Sequence, residues 1–266
     1  MVLDEILDYK RKDLEALKRR IPFAKMRAMC EKFKYERRSL LKALSDDQKL
    51  HLICELKKAS PSEGVLRKRF QPTALAKEFE AAKASAISVL TEPHYFMGDP
   101  GTIKKIRPMT HVPLLRKDFI FDPYQVYETV VLKADAFLLI VMLLTDFELK
   151  QLLGLASELK LDVLVEVHTQ EELKRALSAG SKMIGINNRN LKTLKIDRSI
   201  SEHLISLIPK GKVAVIESGI ETAKEIEHYQ SLGARSFLIG TTLMKSKNVT
   251  EKIRELSAHE LTGVKS

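Results

Sequence analysis

The chain has 266 residues, 44% of them hydrophobic, with 45 lysines and arginines against 35 acidic residues and a net charge of +10. That length supports one large core, so a single domain over residues 1–266 is expected. Cys30 and Cys54 stand far apart with no Cys-x-x-Cys or Cys/His spacing, which argues against a disulfide framework and a zinc site. No window approaches the ~18 apolar residues of a membrane span. Met1-Val2-Leu3-Asp4-Glu5 carries acids where a signal peptide would carry positive charge, so a cytoplasmic location is expected. A basic excess attracts polyanions. Here, however, the bases interleave with acids, as in Asp8-Tyr9-Lys10-Arg11-Lys12-Asp13, and read as a solvated helix face with i,i+4 pairs. With no base-stacking aromatic stripe, neither nucleic acid nor a membrane is expected as a partner.

In residues 1–50, Leu3, Ile6, Leu7, Leu14 and Leu17 fall near one helical face, which predicts a helical extension packed on whatever follows. From residue 51 onward, short β-rich runs alternate with amphipathic helical stretches. The predicted strands are His51–Leu56, Ala86–Leu90, Pro113–Lys117, Ala136–Val141, Asp162–Val167, Met183–Asn187, Lys212–Glu217 and Ser236–Gly240. Asp99-Pro100 and Asp122-Pro123 place a capping oxygen before a first-turn proline, while Thr169-x-x-Glu172 and Thr222-x-x-Glu225 read as capping boxes. Gly180 and Gly233 supply left-handed helix ends just before two strands. Eight such units predict an α/β fold closed as a (β/α)8 (TIM) barrel over residues 51–266, with residues 1–50 as its helical extension.

In such a barrel the working residues emerge from the carboxyl ends of the strands. The period of two sends Glu55 and Lys57 to one face of the first strand and Cys54 and Leu56 to the other. Lys117, Glu166, Asn187 and Glu217 end later strands, so five charges from four strands are expected to converge. Burial of an unpaired charge costs several kcal/mol, so such a cluster pairs internally or does work. Mixed lysines and carboxylates suit proton transfer, because neighbouring charge and burial move their pKa values toward the working pH. An ion-pair network that only plugs the barrel is the alternative on these residues. Nucleophilic cysteine or serine chemistry lacks a partner histidine, and the seven scattered histidines offer no metal spacing; His168 reads as a surface or capping residue.

Ser218-Gly219 follows the seventh predicted strand and Gly240-Thr241 the eighth, the two loops where these barrels often hold phosphate on backbone N–H groups. After the first strand, Ser60-Pro61-Ser62-x-Gly64 opens a long loop, running to Pro72, that covers the mouth with Gly64 as a pivot. These features together predict a small phosphorylated substrate.

Six stretches, in order along nearly the whole chain, resemble the indole-3-glycerol-phosphate synthase family of tryptophan biosynthesis. They are Glu55–Ser62 (ELKKASPS), Ala86–Thr91 (AISVLT), Leu115–Ile120 (LRKDFI) with Asp122–Gln125 (DPYQ), Leu164–Val167 (LVEV), Gly185–Leu191 (GINNRNL) and Glu217–Ile220 (ESGI). The opening Leu3-Asp4-Glu5-Ile6 with Lys10-Arg11-Lys12 is similar to the family's amino-terminal helix. The resemblance implies ring closure of 1-(2-carboxyphenylamino)-1-deoxyribulose 5-phosphate to indole-3-glycerol phosphate, with loss of carbon dioxide and water and no cofactor or metal. It implies Lys117 as general acid, Glu166 in the later proton removal and dehydration, and Lys57 assisting or exchanging roles with them. Glu55, Asn187 and Glu217 would orient these groups and the substrate hydroxyls. Arg189 and Ser60 would hold the aryl carboxylate end, and Ser218, Gly219, Gly240 and Thr241 the phosphate.

The chain departs from the family pattern in two places. Lys83-Ala84-Ser85-Ala86 lacks the glycine usual before the second strand, and Gly240-Thr241-Thr242 replaces a serine-containing version. A monomer is expected. On residues alone, an aldolase forming a Schiff base on Lys57 or Lys117, and a non-catalytic basic barrel that binds nucleic acid, remain as rivals.

Overall fold

Each apolar run forms a strand in the computed structural model, which describes residues 2–33 and 35–258. The barrel strands are β1 (His51–Leu56), β2 (Ala86–Leu90), β3 (Leu114–Lys117), β4 (Ala136–Ile140), β5 (Asp162–Val167), β6 (Met183–Asn187), β7 (Val213–Glu217) and β8 (Ser236–Ile239). They close in the order β1-β8-β7-β6-β5-β4-β3-β2, every pair parallel, with β1 bonded to both β2 and β8. Parallel neighbours need a crossover, and a helix follows each strand to provide it.

The alternation of side chains splits the core into two shells. Leu52, Cys54 and Leu56 of β1, Val163, Val165 and Val167 of β5, and Ile184 and Ile186 of β6 face outward and pack under the helices. Ile53, Leu115, Leu138, Leu164, Met183, Val215 and Leu238 point inward and fill the barrel. The same period, continued to the strand ends, turns Glu55, Lys117, Glu166, Asn187 and Glu217 inward above that apolar floor.

The extension comprises α1 (Val2–Arg20), α2 (Phe23–Lys32) and α3 (Leu40–Ala43). It reaches both ends of the barrel. Ser39 Oγ and the Leu41 N–H bond Asp162 at the start of β5, at 2.8 and 3.0 Å, while Leu40 and Leu44 join the interior apolar group from below. At the opposite end α1 lies over the mouth, where Leu3 and Ile6 enter the same group.

The stretch Asp8–Asp13 differs from the solvated face expected. Lys10 is buried with its Nζ 2.7 Å from the carboxylate of Asp118, and Asp13 pairs with His94 at 2.8 Å. Asp118 also accepts from Thr91 at 2.6 Å and from Arg116 at 3.0 Å. Arg116, facing outward from β3, further bonds Glu128 at 2.7 Å and Gln125 O and Thr129 at 3.1 Å. No buried side-chain polar atom of this knot is left without a partner, as a buried charge requires.

The helix signals hold with three local differences. Asp122 with Gln125 and Thr222 with Glu225 form reciprocal capping boxes. Pro100 occupies the cap position itself, and Asp99 accepts from the Gly101 N–H at 2.8 Å. Thr169 caps its helix, but the Glu172 carboxylate passes over it to the N–H of His168 at 2.7 Å. The third difference lies at the helix ends. Gly180 and Gly233 take φ of 87° and 101° as expected, while Lys83, Lys133 and Lys160 take φ of 64°, 67° and 54° in the equivalent place of other units. A lysine therefore makes the turn where the glycine is missing, at the strain cost of a side chain in left-handed backbone.

Burial alone would raise the Asp118 pKa, but Lys10 and Arg116 outweigh it and hold the carboxyl down at about 2, from 3.8. A depressed carboxyl stabilises the fold fully above its unfolded pKa, and that contribution, on the order of 2 kcal/mol, is lost as pH falls through the interval between 3.8 and about 2. Lys10→Met is expected to destabilise by roughly 2–3 kcal/mol at neutral pH. Denaturant titrations from neutral pH to pH 2 should give the variant a flatter acid slope than wild type; equal slopes would show that the Lys10–Asp118 pair does not carry this stability.

Candidate active site

Two ion-pair systems occupy the carboxyl end of the barrel. In the first, Lys57 Nζ lies 2.9 Å from Glu55 Oε2, both groups projecting from β1 and the residue after it. In the second, Lys117 on β3 is shared: its Nζ donates to Glu166 Oε2 on β5 at 2.9 Å and, at shorter range, to Glu217 Oε2 on β7. Asn187 Nδ2 on β6 donates to Glu166 Oε1 at 3.0 Å. Glu217 Oε1 is buried without a hydrogen bond. Three carboxylates thus face two ammonium groups, and the cluster is neutral when one carboxylate holds a proton.

The electrostatics select which one. Burial opposes the charge on Lys117, but Glu166, Glu217 and Glu55 together outweigh it and hold its pKa above the ordinary lysine range, so it stays protonated. Burial would also raise Glu166, but Lys117, His168 and Asn187 overcome this and keep it ionised. Glu217 moves the other way. Burial, with the repulsion of Glu166 and Glu55, exceeds the pull of Lys117 and lifts it above the usual carboxylate range, making Glu217 the proton carrier of the pair.

Two glycines make room for these side chains. A Cβ on Gly185 of β6 would fall inside van der Waals contact of Glu217 Oε1, and one on Gly240 would collide with Glu55 Oε2 and crowd Lys57 Cε at 3.0 Å. Gly240, singled out from sequence as a phosphate contact, is therefore also the space into which the Glu55–Lys57 pair fits.

Every residue singled out from sequence lines one cavity: Glu55, Lys57, Ser60, Lys117, Glu166, Asn187, Arg189, Glu217, Ser218, Gly219, Gly240 and Thr241. The loop after β1 forms a short hairpin, Ala59–Ser60 against Gly64–Val65, with Gly64 left-handed at φ 64°. It is tied down at both flanks of the mouth. Arg189 Nη1 donates to Ser62 Oγ at 3.1 Å and Leu194 O at 2.8 Å, and Glu63 pairs with Lys245. Ser60 is buried beside Ser62, 3.5 Å between their hydroxyls.

After β7, Ser218 and Gly219 are consecutive left-handed residues with φ of 67° and 79°. That geometry points successive N–H groups to one side. Thr242 Oγ1 donates to Ile220 O at 2.6 Å and clips this turn to the loop after β8.

Sequence reasoning missed the apolar wall. Leu3 and Ile6 of α1, Phe96, Phe119, Leu138 and Ile140 line the cavity on the β2–β4 side, opposite the β7 and β8 turns. Phe119 stands in the same motif as Lys117. Leu3 and Ile6 were visible only as a packing face, since nothing local says which end of the barrel a helix covers. Phe96 is held by Glu92, whose buried carboxylate accepts the N–H groups of His94, Tyr95 and Phe96 at 2.8–2.9 Å. His168 was also misplaced. It is buried, with Nδ1 3.2 Å from Glu172 Oε2 and Nε2 3.3 Å from Glu166 Oε1. Among the described residues, no three His, Cys, Asp or Glu side chains are grouped as a metal ion would need, and no helix is long and apolar enough to cross a membrane.

A parallel eight-stranded barrel with lysines and carboxylates over an apolar floor, an aromatic wall and an N–H-rich turn has the build of an enzyme of the (β/α)8 class, with groups suited to acid–base chemistry. Solved barrels agree on the fold alone. KGPDC from Streptococcus mutans matches with a TM-score of 0.62 at 14% identity, covering 80% of this chain and 98% of its own. The 3-hexulose-6-phosphate synthase from Salmonella typhimurium matches with a TM-score of 0.63 at 12% identity, covering 79% and 97%. The family model described as indole-3-glycerol phosphate synthase matches residues 3–256. Proteins of that name from Campylobacter jejuni (strain 81116) and Dehalococcoides mccartyi (strain CBDB1) are 43% and 44% identical, each over 96% of this chain and 100% of their own length. The chain belongs to the indole-3-glycerol phosphate synthase family, decarboxylating lyases of tryptophan biosynthesis.

Gly185→Ala is expected to displace the Glu217 carboxylate from Lys117 and lower kcat roughly 10- to 100-fold, since small misplacements at a reacting centre carry that cost. Overpacking should cost only about 1–3 kcal/mol, so the variant folds. Turnover equal to wild type would show that the room above Gly185 is not what sets the pair.

Proposed function

We propose that the chain closes the indole ring of 1-(2-carboxyphenylamino)-1-deoxyribulose 5-phosphate, releasing carbon dioxide and water to give indole-3-glycerol phosphate. The observation that carries this reading is the order of surfaces around one cavity: the aromatic wall of Phe96 and Phe119 on the β2–β4 side, the charged centre, and the N–H-rich turn on β7 and β8. An aryl ring, a ketose chain and a phosphate follow one another in the same order in that substrate. Ser218, Gly219, Gly240 and Thr241 take the phosphate, and Arg189 with Ser60 takes the aryl carboxylate end.

In the ring-closing step the aryl carbon attacks the ketone carbon while Lys117 gives its Nζ proton to the ketone oxygen. The carboxylate then leaves as carbon dioxide, and its bonding electrons restore the aromatic ring. Proton donation leaves Lys117 neutral, which withdraws the charge that kept Glu166 a weak base. Glu166 is then able to accept a proton from the carbon next to the hydroxyl-bearing centre. Lys57, paired with Glu55 at 2.9 Å, supplies the proton with which the hydroxyl departs as water. Glu55, Asn187 and Glu217 orient these groups. The steps consume one proton overall, matching the carboxylate lost as carbon dioxide, and call for neither metal nor organic cofactor. The same reading makes the protein a cytoplasmic monomer whose partner is this small phosphorylated molecule, with no role for nucleic acid or a membrane surface.

Indole fluorescence after mixing the protein with that substrate in chelating buffer tests the assignment, beside Lys117→Ala and Glu166→Gln. Wild type should form product and each variant should lose about 100-fold or more in kcat, the contribution of a general acid or base. No product from folded wild type, or full turnover by either variant, would overturn it.

A further inference from the structure

His168 directly follows β5, two residues beyond Glu166, and its side chain comes within 3.3 Å of the Glu166 carboxylate. Its imidazole is buried between two carboxylates. Nδ1 is 3.2 Å from Glu172 Oε2, and the same oxygen accepts the His168 backbone N–H at 2.7 Å, so Glu172 grips residue 168 twice. Nε2 lies 3.3 Å from Glu166 Oε1, at an angle that falls short of a hydrogen bond, and this buried nitrogen has no other partner among the described residues. A buried nitrogen with no hydrogen bond thus lies beside the oxygen of Glu166 that Asn187, and not Lys117, holds.

From this geometry we infer that His168 is a positioning residue for Glu166: a charged imidazolium, anchored by Glu172, that holds Oε1 so that Oε2 is presented to Lys117 and the reacting atoms. The inference rests on the synthase reading for its kinetic consequence but not for its charge state. It solves a problem the mechanism creates. When Lys117 passes its proton to the substrate, Glu166 would be a buried carboxylate beside a neutral amine, and a second fixed cation keeps it ionised and oriented until it takes its proton. The charged groups bearing on the imidazole are Glu166 on its own strand and Glu172 on the following helix, with Lys117 behind Glu166. The flanking strands β4 (AFLLI) and β6 (MIGIN) bring no charge, only apolar residues and Asn187. Burial would lower the His168 pKa, but the two carboxylates outweigh it and raise it from 6.5 to about 9, which keeps the ring protonated at neutral pH.

Two readouts test this. Imidazole nitrogen NMR of the substrate-free protein should find His168 protonated at pH 8 in wild type, with a lower pKa in Glu166→Gln; a ring already neutral at pH 8 in wild type, or a pKa unmoved by that substitution, overturns the inference whatever the enzyme's substrate. In the kinetic readout, His168→Gln keeps an N–H donor but not the charge, and His168→Leu keeps neither. Loss of the cation should raise the pKa of Glu166, so the acid limb of kcat/KM moves to higher pH in both. Leucine should lower kcat roughly 10- to 100-fold at nearly unchanged KM, and glutamine should recover part of it. An acid limb that stays in place, with activity tracking only the folded fraction measured by thermal denaturation, would make His168 structural and nothing more. Absence of turnover in wild type would overturn the synthase reading and leave the NMR result to decide the charge relation.

Discussion

Lys117 is one ammonium group buried between two carboxylates from different strands, and much of the molecule serves that arrangement. Charges of this kind are tolerated in a barrel only when each has a partner at close range, because desolvation otherwise exceeds what pairing returns. The barrel meets the requirement by geometry. Strands β3, β5 and β7 are spaced around the ring, so their inward ends converge on the axis, and the inward residues beneath them are apolar and close-packed. Gly185 and Gly240 then leave room that a Cβ would take from Glu217 and Glu55. Within that cluster Lys117 holds Glu166 below the usual carboxylate range, while burial and like charge lift Glu217 above it.

The extension extends the same logic outward. Lys10 of α1 reaches Asp118, the residue after Lys117, and Asp118 in turn fixes Thr91 and Arg116. Docking of α1 is thereby linked to the ends of β2 and β3, and the helix contributes Leu3 and Ile6 to the cavity wall. On the far side, Glu172 and His168 brace Glu166.

How much of this was legible in the sequence follows from what is local. Strand positions came out within one residue, because each is a short apolar run bounded by turn signals and the alternation is complete in itself. The charges that converge were legible for the same reason: once the strand parity is known, the direction of Glu55, Lys117, Glu166 and Glu217 is fixed. Long-range partners were not. Nothing near Lys10 says that it meets a residue 108 positions away, and it reads as one more surface base. His168 reads as a cap because it precedes Thr169, and its burial depends on where the following helix turns Glu172. The left-handed turns at Lys83, Lys133 and Lys160 were hidden because lysine does not announce them as glycine does.

The claim on which the account turns is that Glu166 and Glu217 share one lysine and titrate far apart. Carboxyl-carbon NMR of the substrate-free protein, with Glu166→Gln and Glu217→Gln as assignments, measures this directly. The account predicts that Glu166 stays ionised below the ordinary glutamate value of 4.5 while Glu217 keeps its proton above it. Two carboxyls that titrate together near 4.5 would contradict it, because neither would then be fixed as base or donor by the site that holds them.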